Sequence, residues 1–298
     1  MKEEKKAGFS RRRFIKLVGG IFAFALFSAN IITEQIVKAA SQPKEKSSSP
    51  IQDVYDPRLV EQDTYMPKSA YKPKWTMVID IGACIGCRRC AYACRLENNI
   101  SDKIYPLWIE VFESDADSPI TDYSRGNWTT KYTQSPRPGK RYMPVQCMHC
   151  DNPPCVKVCP VGARYKSEDG IVDTRYERCI GCRYCVVACP YNANRFNWFE
   201  PEFHPGRKLN PEVPVRPVGV VEKCTFCSHR VRRGLYPRCV EVCPVKARRF
   251  GNLNDPESEV SKIIASLPAI QLLEEQGTEP SIYYTMRGVK WRPDGERV

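Results

Sequence analysis

Cys179-Ile180-Gly181-Cys182-Arg183-Tyr184-Cys185-Val186-Val187-Ala188-Cys189-Pro190 decides the fold. Three cysteines spaced by two residues let one tight loop offer three thiolates to the corners of an iron–sulfur cube. The fourth must come from farther away. This run has the C-x2-C-x2-C-x3-C-P spacing of bacterial ferredoxins, in which the last cysteine serves a second cluster. Gly181 lets the loop turn with its amides facing the sulfides. The residues before Cys189 suit a short helix, and Pro190 stops it because proline has no amide to continue the hydrogen bonding.

Working outward, the same grouping recurs three times, as an internal repeat between Trp75 and Gly251. Cys84, Cys87, Cys90 and Cys94 keep the spacing but lack the proline. Cys147, Cys150, Cys155 and Cys159 widen one gap to four residues, and Cys224, Cys227, Cys239 and Cys243 widen it to eleven. Proline follows both Cys159 and Cys243, and Gly86 matches Gly181. Short β-type runs, Trp75–Asp80 and Arg141–Val145, lead into the first two groups. Ala163–Lys166 and Ile171–Asp173 flank Ser-Glu-Asp-Gly and read as a hairpin. Strand, metal loop, helix, strand is the pattern of a small ferredoxin half, so the fold class expected is α+β with loop-rich extensions.

The chain has 16 cysteines against 3 histidines, and all sixteen fall into the four groups. Four [4Fe–4S] clusters account for every one. Structural zinc uses isolated cysteine pairs and calls for no third cysteine at x2 with a fourth at x3 before proline. A disulfide framework is the other use of dense cysteine in an exported domain. Covalent haem lacks its C-x-x-C-H anchor, and neither a dinucleotide nor a P-loop fingerprint is present. His149 and His229 read as rings packed beside clusters that already have a full set of thiolates. Arg88, Arg89, Arg178 and Arg183 are either cations that raise cluster potentials or solvated surface groups. Tyr184, Phe196 and Trp198 read as core filler. No nucleophile with a base and an orienting group can be assembled, which leaves electron transfer without substrate chemistry on this chain.

The formal charge of +12 raises nucleic acid as a partner, but two facts remove it. Residues 1–40 hold eight Lys/Arg against three Asp/Glu. Each oxidised cluster with four thiolates also carries about −2, which brings the remainder close to neutrality. Ser10-Arg11-Arg12-Arg13-Phe14-Ile15-Lys16 reads as a twin-arginine export signal. The apolar stretch Leu17–Ile32 that follows is short for a membrane span. Val37-Lys38-Ala39 offers cleavage, with an uncleaved anchor as the alternative. Either way the bulk of the chain is expected on the periplasmic, extracytoplasmic face. Twin-arginine export carries folded proteins, which suits a cofactor inserted in the reducing cytoplasm and argues against eight disulfides.

Residues 1–39 are thus assigned to the signal and 40–74 to a linker and wrapping segment, of which Ser41–Pro50 has no core-forming pattern. Residues 253–298, without cysteine, are expected as a docking arm that includes one amphipathic helix over Ser258–Leu267.

With these groups in view, the chain resembles the iron–sulfur subunits of polysulfide, tetrathionate and related molybdenum reductases, a group that extends to formate-dependent nitrite reduction. The likeness rests on Cys94-Arg-Leu-Glu97-Asn98, Gln146-Cys-Met-His-Cys-Asp-Asn-Pro-Pro-Cys155, Cys179-Ile-Gly-Cys-Arg-Tyr-Cys185, Glu222-Lys-Cys-Thr-Phe-Cys227 and Phe250-Gly-Asn-Leu-Asn-Asp-Pro256. The resemblance implies two ferredoxin-like modules, one of residues 75–139 with 216–252 and one of residues 140–215. It implies four ligand sets: Cys84, Cys87, Cys90 and Cys243; Cys94, Cys224, Cys227 and Cys239; Cys147, Cys150, Cys155 and Cys189; and Cys159, Cys179, Cys182 and Cys185. It further implies a relay between a molybdenum-type catalytic subunit, facing the module of groups one and four, and a membrane quinol-interacting subunit nearest the cluster at Cys179. A freestanding periplasmic ferredoxin is the alternative, disfavoured by the long cysteine-free arm.

Overall fold

The computed structural model describes residues 63–116, 127–129 and 137–286. The expected export signal, the linker as far as residue 62 and the last residues from 287 lie outside them. The elements are short, as loops tied to metal groups require. β1 (Trp75–Asp80), α1 (Arg89–Glu97), β2 (Glu110–Asp115), β3 (Asn127–Thr129) and β4 (Lys140–Val145) come first. Then follow α2 (Pro154–Lys157), β5 (Arg164–Lys166), β6 (Val172–Thr174), α3 (Tyr184–Val187), β7 (Arg195–Phe196) and β8 (Val221–Glu222). The chain closes with α4 (Ser228–Val231), α5 (Arg238–Glu241), β9 (Arg248–Asn252), α6 (Glu259–Ser266), β10 (Ala269–Ile270) and β11 (Ile282–Thr285).

Proline governs helix length as its chemistry dictates. The one-turn helices α2, α3 and α5 each end two residues before a Cys-Pro step, whereas α1, whose last cysteine is followed by Arg95, runs on to Glu97. The hairpin around residues 167–170 forms as expected, with Arg164, Tyr165 and Lys166 opposite Thr174, Asp173 and Val172.

Four strands in the order β10-β11-β1-β9 form the largest sheet. β1 sits inside it, antiparallel to β9 and parallel to β11. Its side chains alternate, as strand geometry requires. Met77 and Ile79 enter the main core, and Val78 faces Val260 and Ile263 of α6. The segment expected as a docking arm therefore departs from that picture. Its helix is present at Glu259–Ser266, but β11 is an integral strand with Ile282 and Tyr284 fully buried. The apolar run Ile282-Tyr-Tyr was hidden between proline and charged residues.

The expected module boundaries are also crossed. β4, on one side of the boundary, pairs along its whole length with β2 on the other, and β7 pairs with β8. Both expected modules fall within one compact unit. Among the described residues no helix is long and apolar enough to cross a membrane.

Candidate iron–sulfur centres

All sixteen cysteines lie in the described residues, and none is joined in a disulfide. The residue two after the first cysteine of each group is left-handed in all four groups: Gly86 (φ 67°), His149 (φ 46°), Gly181 (φ 68°) and Phe226 (φ 52°). The bend curls each loop around its thiols. Glycine accepts it freely, whereas other residues are strained by roughly 1–2 kcal/mol. Sequence reading found the two glycines and missed the two others. His149 and Phe226 stack on each other with ring centroids 3.7 Å apart. The His149 Nδ1 accepts from the Val172 amide at 3.1 Å, while Nε2 has no partner among the described residues. Burial, then the Lys223 charge, holds this imidazole well below its usual pKa, so it is a neutral ring packed between groups two and four.

Thiols from different groups face each other. The Cys84 and Cys87 thiols feel Cys90 and Cys243. Cys94 feels Cys224, Cys227 and Cys239. Cys150 feels Cys147, Cys155 and Cys189. Cys159, Cys179, Cys182 and Cys185 line one cavity together with Arg164. Burial drives the Cys150 and Cys239 thiols up to about 12 and those of Cys155 and Cys227 up to about 11. Such thiols ionise only beside a positive centre, so loading with iron releases protons and is coupled to folding.

Several donors point at sulfur. Amides of Arg164, Phe226 and Ala247 donate to Cys159, Cys224 and Cys243 at 3.4, 3.4 and 3.2 Å. Asn98 Nδ2 lies 3.5 Å from the sulfurs of both Cys94 and Cys227. Hydrogen bonds to sulfur are what iron-bound thiolates accept, and they tune cluster potential. The residues therefore fit the groups implied. Among the described residues no three His, Cys, Asp or Glu side chains gather as donors to a single ion. The thiol groupings do not conflict with this, since a cube holds its four thiolates apart with iron and sulfide between them.

Glu97 explains part of the resemblance motif. It is buried at the end of α1 and meets Arg238 Nε at 2.9 Å and His229 Nε2 at 2.8 Å. His229 is thus a partner of a carboxylate. Burial pushes the Glu97 carboxyl up, but hydrogen bonds from His229 and Arg238, with the charges of Arg238 and Arg230, outweigh it and hold it at about 2. The stability this supplies is present above the ordinary carboxylate pKa of 4.5 and is lost as pH falls from there towards 2. Glu97→Gln should therefore destabilise the neutral protein by about 3 kcal/mol, and the gap to the parent should narrow through that acid window. Bleaching of cluster absorbance against temperature at stepped pH checks this, and a gap independent of pH would contradict it.

Two expectations about surface groups change. Tyr184 and Trp198 are not core filler: they are 62% and 60% exposed, with Arg183 lying over the Phe196 and Trp198 rings. Of the arginines singled out in the sequence only Arg88 is buried, and it faces Glu113 at 3.7 Å.

Small sheets, one-turn helices and grouped thiols define a ferredoxin-like iron–sulfur protein. A family described as 4Fe-4S dicluster domain matches residues 83–163 and 178–257, and a second of the same description matches 139–204. A Halobacterium salinarum protein named as a putative dimethyl sulfoxide reductase iron-sulfur subunit is 50% identical over 70% of this chain and 77% of its own. The menaquinone reductase iron-sulfur cluster-binding subunit of Nitratidesulfovibrio vulgaris is 42% identical over 73% and 90%. A selenate reductase subunit of Mesobacillus selenatarsenatis is 35% identical over 92% and 96%. The chain belongs to the 4Fe–4S iron–sulfur subunits of polysulfide, tetrathionate and other molybdoenzyme reductases. Its role is electron transfer within a multi-subunit oxidoreductase.

Proposed function

We propose that the chain is a through-wire of four [4Fe–4S] clusters. In order along the wire, the ligand sets are Cys84, Cys87, Cys90, Cys243; then Cys94, Cys224, Cys227, Cys239; then Cys147, Cys150, Cys155, Cys189; then Cys159, Cys179, Cys182, Cys185. When bound, the clusters supply one-electron redox chemistry, and the protein sets their spacing, burial and hydrogen bonding.

The observation that carries this reading is the unbroken order of thiol neighbours. Cys239 feels Cys90 and Cys243, which links the first set to the second. The thiol that acts most on Cys224 is Cys147, which links the second to the third. Arg164 is influenced by both Cys185 and Cys155, which links the third to the fourth. Exposure follows the same order: every cysteine of the second set is buried, while Cys84 and Cys87 are part-exposed and Cys182 is exposed. A wire needs insulated middle sites and reachable ends.

On this reading the Cys182 end meets the membrane quinol-interacting subunit. In support, Tyr105, Tyr184, Val187, Trp198 and Phe199 are exposed around a groove that includes Cys182, an apolar surface of the kind partner subunits cover. The Cys84 end meets an extracytoplasmic, molybdenum-type catalytic subunit. The twin-arginine signal at residues 10–16 supports export to the periplasmic side.

Iron and acid-labile sulfide on anaerobically purified protein test the assignment. About 16 of each per chain, with coupled paramagnetic signals on reduction, is the expected result. Zinc in place of iron, or a shortfall of one or more cubes, would overturn it.

A further inference from the structure

Two arginines occupy one position in the internal repeat. Cys159-Pro-Val-Gly-Ala-Arg164 and Cys243-Pro-Val-Lys-Ala-Arg248 differ at a single residue, and each arginine opens the strand that follows, β5 or β9. Both are buried, at 3% and 2% exposure. Other buried arginines meet carboxylates: Arg195 meets Glu110, Arg216 meets Glu222, and Arg238 meets Glu97. No described carboxylate pairs with Arg164 or Arg248. Arg164 donates to Thr174 Oγ1 at 2.7 Å, Asn194 Oδ1 at 2.8 Å and the Val221 carbonyl at 3.2 Å, and it lines one cavity with the thiols of Cys159, Cys179, Cys182 and Cys185. Arg248 donates to Gln146 Oε1 at 3.2 Å and reaches the Cys239 sulfur at 3.9 Å. A buried guanidinium without an anion is costly, and sulfur is the anion on offer.

The surroundings of each span two ligand sets. Arg164 lines one cavity with all four thiols of the fourth set, and its strand β5 packs against α2, which carries Cys155 of the third. Arg248 reaches the Cys239 sulfur of the second set and lines one groove with Cys243 of the first. Lys223 is also buried, but it is held by the Val172 and Cys224 carbonyls.

We propose that Arg164 and Arg248 are potential-setting residues, each a fixed cation shared by the two clusters of its half of the wire. A shared cation favours the added electron on either member alike, so it raises both potentials together and keeps the step between them shallow. The inference rests on the four-cluster assignment above.

The test is a potentiometric titration of the holo-chain followed by paramagnetic resonance, with iron and sulfide counted first. A shortfall in the parent would strike the cluster assignment, and only a parent with the full count bears on the arginines. Arg164→Gln should lower the potentials of one pair of signals and Arg248→Gln those of the other. Each shift should be at least tenfold in the one-electron equilibrium, or ~59 mV. Arg164→Lys and Arg248→Lys should titrate close to the parent. Should a glutamine variant lose iron, Asn194→Asp and Gln146→Glu decide instead, since each sets a carboxylate against the intact guanidinium and should shift the same pair downwards. Full iron with unmoved potentials, or an equal shift of all four signals from either arginine, would overturn the proposal.

Discussion

Cys147→Ser should cut the wire in its middle while leaving both ends intact. Cys147 is the thiol that acts most strongly on Cys224, where the proposed second and third ligand sets meet. It is buried with Met148 and His149 in the main core. Serine offers a harder, less acidic oxygen, and the loss of one cube would take iron from about 16 to about 12 per chain. Cys84→Ser should lose the same iron from an end of the wire. The two variants then part company. In the assembled complex, Cys147→Ser should stop electrons fed at the Cys182 end from reducing the first two sets, whereas in Cys84→Ser the second set should still be reduced. Rapid-freeze paramagnetic resonance after addition of reductant distinguishes them. Reduction of the first two sets at the parent rate in a Cys147→Ser chain with about 12 irons would sink the proposed order.

Gly181→Ala should be a severely damaging single-methyl change in a cluster loop. A Cβ there would lie 2.3 Å from the Gly219 carbonyl oxygen and 3.1 Å from the Phe196 ring, on a backbone with φ of +68°. The left-handed conformation costs roughly 1–2 kcal/mol in a residue with a side chain. Forcing atoms into a filled space adds about 1–3 kcal/mol, and a backbone carbonyl cannot swing away as a side chain can. Gly170→Ala is the control. Its φ is +82°, but nothing lies within 4 Å of the added carbon, so only the first cost applies. At roughly 2–4 °C per kcal/mol for a chain of this size, Gly181→Ala should bleach clearly earlier on heating than Gly170→Ala. Equal bleaching temperatures would show that the contact with Gly219 does not constrain the loop.

What was legible in the sequence was local. β1 runs over Trp75–Asp80 as expected, because β-type residues and the adjoining metal loop set its limits. The 167–170 hairpin was legible for the same reason. What was not legible depended on distant pairing. Nothing in Ile282-Tyr-Tyr-Thr says that it lies parallel to β1, and nothing in Lys140–Val145 names β2 as its partner. The left-handed bends at His149 and Phe226 were invisible because neither is glycine, though both stand where Gly86 and Gly181 do in the repeat. Arg164 and Arg248 carried a signal that could have found them: the recurrence of Cys-Pro-Val-x-Ala-Arg.

The parallel pairing of β1 with β11 sets an order of manufacture. β1 leaves the ribosome early, but β9 and β11, its two neighbours, come near the end of the chain. The sheet that roofs the first cysteine group therefore cannot close until synthesis is almost complete. The hairpin of β5 and β6, by contrast, is complete as soon as residue 174 is made. Local pairing around the second cysteine group thus precedes the closing of the sheet beside the first. A chain stopped before residue 282 would hold a closed β5–β6 hairpin beside a sheet that lacks one of its two central pairings.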